Sequence, residues 1–154
     1  MNKSTAFSQL AARCSTTELC IADVRSKLER MELTDEERDD IVQRLLDEHF
    51  IDEGRYARAF VSDKFRFARW GRIKIRQALR QKGIAAADIN EALQTIDDDA
   101  YRQTLIELLA AKRRTLKASS PYEANGKLIR FAAGRGFEPS LICQFLDADD
   151  IETE

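Results

Sequence analysis

IRQALRQKGIAAADINEALQTID, from Ile75, superposes on LIRFAAGRGFEPSLICQFLDADD, from Leu128, at a constant offset of 53. The alignment pairs Ile75 with Leu128, Gly83 with Gly136, Ile84 with Phe137, Ile89 with Ile142 and Leu93 with Leu146, a match of pattern more than of identity. An earlier copy, VRSKLERMELTDEERDDIVQRLL, follows at offset 51 for Val24, Leu28 and Leu33, then continues through Ile41 and Leu45 after a three-residue insertion. Ahead of the two later copies, Tyr56 and Tyr101 follow acid-rich starts, with Phe60 and Leu105 four residues on. The apolar spacing throughout is helical, and no run of alternating β-branched residues competes with it. The chain is therefore predicted to be all-α, with tandem three-helix repeats at 10–52, 53–97 and 98–147 and an acidic tail at 148–154. Modules this small bury only thin cores and lean on one another in a row. The expected architecture is elongated and curved, with broad faces and no deep pocket.

Hydroxyls three residues ahead of a glutamate mark helix starts at Ser15-Thr16-Thr17-Glu18, Thr34-Asp35-Glu36-Glu37 and Ser120-Pro121-Tyr122-Glu123. Glu138-Pro139 opens one more helix, and Asn125-Gly126 falls inside the helix begun at Ser120. Gly83 and Gly136, each before an apolar residue, are read as helix C-caps.

Composition excludes several functional classes. A single histidine, His49, removes most imidazole-based catalytic constellations, and the three scattered cysteines, with no CxxC, offer no zinc site at workable spacing. Six isolated glycines form no phosphate-binding loop. No membrane span or signal peptide is recognisable, so the expected compartment is the cytoplasm. The expected protein is no enzyme and uses no cofactor.

Charge is segregated although the net value is only −2. Residues 29–53 carry eleven acids against Arg30, Arg38 and Arg44; residues 64–84 carry eight bases and no acid. Unmixed like charge is costly over a Debye length of about 8–10 Å, and a surface shaped for stability alone would intersperse acids. The expected partner is accordingly polyanionic, nucleic acid or an acidic protein surface. Arg69, Arg72, Arg76 and Arg80 form one stripe if the helix is continuous, although Gly71 is placed to interrupt it. Arg55, Arg58 and Arg66 stripe the preceding helix, and Lys64 and Lys74 complete the basic set. Trp70 is either a core or hinge anchor or a stacking platform. Phe65 and Phe67 are expected in the core. Lys112 and Arg113 head a second basic patch, which the dipole at the end of a long helix explains equally well.

FIDEGRYARAFVSDKFRFARWGRIKIRQALRQKGI, residues 50–84, resembles the central signature of the RecX family, regulators of the RecA recombinase. Asp52, Tyr56-Ala57, the basic helix Lys64–Arg69, Gly71, Ile75–Leu79 and Lys82-Gly83-Ile84 carry the likeness, although Arg72-Ile73-Lys74 stands where many relatives place a proline. The resemblance implies a monomer that binds the RecA filament along its groove, touches single-stranded DNA there, and limits filament extension and ATP turnover in homologous recombination and DNA repair. The alternative is an independent DNA-binding module using phosphate contacts and Trp70 stacking.

Overall fold

The computed structural model describes residues 2–146; the acidic tail, 148–154, lies outside the described residues. Among them are nine helices and no strand: α1 (Lys3–Thr16), α2 (Ile21–Leu28), α3 (Asp35–Asp47), α4 (Glu53–Arg66), α5 (Arg72–Gln81), α6 (Ala86–Leu93), α7 (Asp98–Thr115), α8 (Pro121–Gly134) and α9 (Pro139–Gln144).

Two of the three predicted capping signals are helix starts. Thr34 accepts from the Glu37 N–H at 3.1 Å while the Glu37 carboxylate accepts from the Thr34 N–H at 2.9 Å. Ser120 accepts from the Glu123 N–H with Pro121 in the first turn. The signal at Ser15 is not a start. There the apolar spacing of Ala6, Phe7, Leu10, Ala11 and Cys14 carries α1 onward to Thr16. The hydroxyls of Ser15 and Thr16 donate back to the carbonyls of Ala11 and Arg13, the use such side chains find within a helix rather than ahead of one. Helix α2 opens only at Ile21, five positions beyond Thr16, with the Asp23 carboxylate accepting from the Cys20 N–H.

The repeat is visible in backbone hydrogen bonds. After α5 the Gly83 N–H reaches the Arg80 carbonyl and the Ile84 N–H reaches Leu79; after α8 the Gly136 N–H reaches Ala133 and the Phe137 N–H reaches Ala132. Both glycines have positive φ, 79° and 99°, which closes the helix and turns the next apolar side chain inward. Ile84 and Phe137 are buried accordingly. His49 makes the same closure after α3 at φ 63°, with Phe50 N–H on the Leu45 carbonyl, without a glycine to announce it. A Cβ at Gly83 meets open space, so Gly83→Ala is expected to cost about 1 kcal/mol from conformation alone. At Gly136 a Cβ would also overlap Lys74, and Gly136→Ala should cost more; chemical denaturation of the two variants tests the order.

The described residues divide into two compact units, residues 2–60 with 79–92, and residues 61–78 with 93–146. The first is built on Phe7, Leu10, Val24, Leu28, Ile41 and Leu45, with Phe7 edge-on to Phe50 at 6.0 Å. In the second, Tyr101 lies against Phe137 at 5.0 Å and Phe65 at 5.8 Å, and Leu105, Leu128 and Ile142 are fully buried. Tyr56, in the first unit, and Tyr101, in the second, are both buried. The middle repeat is shared: the starts of α4 and the end of α5 belong to the first unit, their facing ends to the second.

Candidate partner-binding site

Helix α4 ends at Arg66 and α5 begins at Arg72, so the most basic stretch of the chain includes a turn rather than one continuous helix. Backbone bonds hold that turn at each end. The Phe67 N–H donates to the Asp63 carbonyl and the Trp70 N–H to the Lys64 carbonyl, both at 3.0 Å, with Arg69 in the left-handed region at φ 56°. Gly71 N–H donates to the Arg135 carbonyl, Ile73 N–H to that of Gly136, and the Arg135 guanidinium to that of Ala68. Gly71 is required for this approach, because a Cβ would overlap the Gly136 carbonyl and the Phe137 nitrogen. The turn is thus fastened to the closure after α8, all within the second unit.

The fastening decides which side chains face outward. Phe67, expected in the core, is 76% exposed, with the Arg66 guanidinium 5.5 Å from its ring centre. A single exposed apolar side chain is ordinary; an exposed aromatic on a rigid turn among cations is a contact geometry. Trp70 is half-buried and lies under two ammonium groups, Lys64 at 4.7 Å and Lys74 at 4.5 Å from the ring centre. Each such contact contributes about 0.5–1 kcal/mol at an exposed site, and together they draw a cation from α4 and one from α5 onto the Trp70 ring. Phe65 is half-buried and stacks on Tyr101.

Arg69 and Arg72 do not continue the stripe that spacing predicts. Arg69 stands in the turn, off the helix, 3.6 Å from the Glu107 carboxylate. Arg72 is on α5 but is drawn inward. Its side chain is 26% exposed, pairs with Asp98 at 3.0 Å and Glu138 at 3.3 Å, and covers the Tyr101 ring at 3.9 Å. Its N–H donates to the Tyr101 hydroxyl, which in turn donates to Glu138. Burial, reinforced by that bond to Glu138, pushes the Tyr101 phenol well above its usual range, so it remains a donor. Arg76 and Arg80 follow one and two turns later on α5, Arg76 half-buried and Arg80 exposed.

In the first unit Arg55 is likewise engaged within the chain, bonding the Glu18 carboxylate and the carbonyls of His49 and Phe50. The bond to Glu18 raises its pKa further. Arg58 is exposed and, among the described residues, has no ion pair. Lys82 bonds Asp23 at 2.7 Å. In the second patch Lys112 lies 5.2 Å from the Phe131 ring centre and Arg113 is exposed at the end of α7, where their charges also complement the negative end of the helix dipole. Sequence spacing misses Phe67 as an outward residue and Glu138 as the partner of Arg72, since both depend on the Gly71–Gly136 contact between segments distant in sequence. Among the described residues no group of acids, cysteines and histidine is placed to hold a metal ion, and no helix is long and apolar enough to cross a membrane.

The chain is similar to known proteins. A family model described as "RecX, second three-helix domain" matches residues 52–93, and one described as "RecX, third three-helix domain" matches 99–146. The chain is 32% identical over 125 residues to "Regulatory protein RecX" of Chlorobium phaeobacteroides, covering 81% of this chain and 80% of that protein. It is 28% identical to the protein of the same name from Clostridium beijerinckii, covering 83% of this chain but 63% of that longer protein. The crystal structure of RecX from Lactobacillus salivarius superposes with a TM-score of 0.80 at 18% identity, over 99% of this chain and 97% of that one. A second structure, of regulatory protein RecX, gives 0.84 at 24% identity over 93% and 72%. At those identities the structures speak for the fold alone, and the tandem helical repeat is common to all three. With two successive domains of the family matched in order, and a relative 32% identical covered over 80% of its length, the chain belongs to the RecX family of regulatory proteins.

Proposed function

We propose that this protein is a negative modulator of a RecA-type recombinase: it binds the recombinase–DNA filament and limits filament extension, ATP turnover and the activities that depend on them. The relatives' regulatory names support the regulatory part. The observation that carries the contact is the basic turn, where Phe67 is exposed beside Arg66 and Trp70 gathers Lys64 and Lys74, on a backbone fastened at both ends. Preorganisation matters because a partner then spends little of its binding energy on ordering the turn. Phe67 supplies the apolar anchor; the cations meet phosphate or carboxylate.

Arg76, in the same unit as the turn, extends its cationic contact, Arg58 and Arg80 offer cations of their own in the first unit, and Arg55 and Arg72 act by holding backbone and neighbouring helices in place. Trp70 collects the two lysines. Lys112 and Arg113 form a secondary cationic contact. The protein acts in the cytoplasm as a monomer and hydrolyses nothing itself.

Titration into a RecA ATPase assay on single-stranded DNA from the same organism tests this reading. Turnover is expected to fall as the protein saturates the filament, and unchanged turnover at saturation would overturn the proposal. Steeply salt-dependent binding to naked DNA without any effect on RecA would instead support the independent DNA-binding module, which the cation-rich turn also fits.

A further inference from the structure

Ile106, Leu109, Ala110, Arg113 and Arg114 share one face of α7 by their helical spacing, and with Gln144, Phe145 and Leu146 they line a groove of about 910 Å³. All of these residues belong to the second unit. The face changes character along its length. Its earlier half is apolar, with Ile106 39% exposed, and its later half consists of two exposed arginines. No acid is among the described residues lining the groove, whereas the neighbouring cleft that shares Leu146 holds Glu123 as well as Arg130. An apolar strip ending in unmixed positive charge is complementary to an acidic segment that carries an apolar residue.

The chain itself supplies such a segment. Asp147-Ala148-Asp149-Asp150-Ile151-Glu152-Thr153-Glu154 holds five acids, one large apolar residue and no base, and it continues directly from Leu146 in the lining of the groove. The spacings agree. At a helical rise of about 1.5 Å per residue, Ile106 and Arg113 stand about 10 Å apart along α7. In an extended segment alternate residues share a side, so Asp149 and Asp147 would face the same way as Ile151, about 7 and 13 Å from it, bracketing that distance. Covalent attachment also gives the segment an effective concentration on the order of millimolar at the groove, which a separate acidic partner must exceed.

We infer that residues 147–154 dock in this groove, Ile151 beside Ile106 and the acids on Arg113 and Arg114, so that the segment competes with polyanions for the second basic patch. The docking is independent of the recombinase reading; the competition rests on the cationic contact proposed above for Lys112 and Arg113.

NMR of the full chain with isotope-labelled isoleucine methyl groups, without recombinase or DNA, tests the docking. A through-space cross-peak between Ile151 and Ile106 is expected, assigned with Ile151→Val and Ile106→Val. It should be lost when Asp147→Lys and Asp149→Lys are combined, a change that leaves the described residues untouched, and again when Arg113→Glu and Arg114→Glu are combined. No cross-peak in the intact protein, or one that both variants retain, would overturn the docking. A cross-peak found only between differently labelled copies in a mixture would overturn it too, since the groove would then hold a second molecule. Ile151→Ser alters no charge but releases the segment, so affinity for a short oligo(dT) should rise about 3–10-fold, as for a site masked roughly 70–90% of the time. An Ile151–Ile106 cross-peak in the intact protein, with strand affinity unaltered by Ile151→Ser, would uphold the docking and overturn the competition.

Discussion

Arg72→Glu is expected to destabilise the protein by about 3 kcal/mol, because a largely covered cation held by two carboxylates and an aromatic ring is replaced by a third acid. Its guanidinium sits between Asp98 and Glu138 and over Tyr101, with only 26% of the side chain exposed. A carboxylate there would bring three acids together around a hydroxyl that already donates to Glu138. For a domain of this size that loss lowers the thermal midpoint by roughly 10 °C. Arg80→Glu on the same helix, exposed and without an ion pair among the described residues, should change stability by no more than about 0.5 kcal/mol. Helical spacing alone puts both residues on one solvent-facing stripe and predicts little change for either. Thermal unfolding followed by circular dichroism decides between them, and equal midpoints for the two variants would remove Arg72 from its bracing role.

A folded protein that no longer engages the filament is the expected result of combining Arg66→Glu, Phe67→Ala and Lys74→Glu. Removal of an aromatic anchor at the centre of an interface costs 2 kcal/mol or more in typical cases, and two reversed charges add a salt-sensitive loss. Affinity for the RecA–DNA filament should therefore fall about 100-fold or more, with the slope of log affinity against log salt reduced by about two. The thermal midpoint should fall by only about 2–4 °C, the share of the Lys74 contact with Trp70. Phe67 is 76% exposed, Arg66 is exposed, and the bonds fastening the turn come from the backbone and from Arg135. Full inhibitory potency of this variant across the salt range would rule out the turn as the contact surface.

Local chemistry written in the sequence is recovered where one residue's neighbours in sequence are also its neighbours in space. The helical class, the capping box at Thr34, the proline-led starts of α8 and α9, and the paired closures at Gly83 and Gly136 are of this kind. Each rests on contacts a few residues apart, so spacing suffices to find it. The closure at His49 escapes notice because a non-glycine residue occupies the left-handed position. Ser15 misleads because the same hydroxyl can cap a following helix or bond back within a preceding one, and burial of Cys14 settles the choice in favour of the longer α1.

The basic stretch shows the other half of the division. Its charge, its aromatics and the break at Gly71 were determined by sequence alone, and so was the likeness to the RecX family. Which cations face outward was decided only by tertiary structure. Gly71 meets Gly136 across 65 positions of sequence, the intervening helices bring Asp98, Tyr101 and Glu138 to Arg72, and the turn so fastened leaves Phe67 exposed. A one-dimensional pattern records which residues lie on the same helix face; it holds no information on which other helix will arrive there with a carboxylate, and that arrival is what separates a brace from a binding residue.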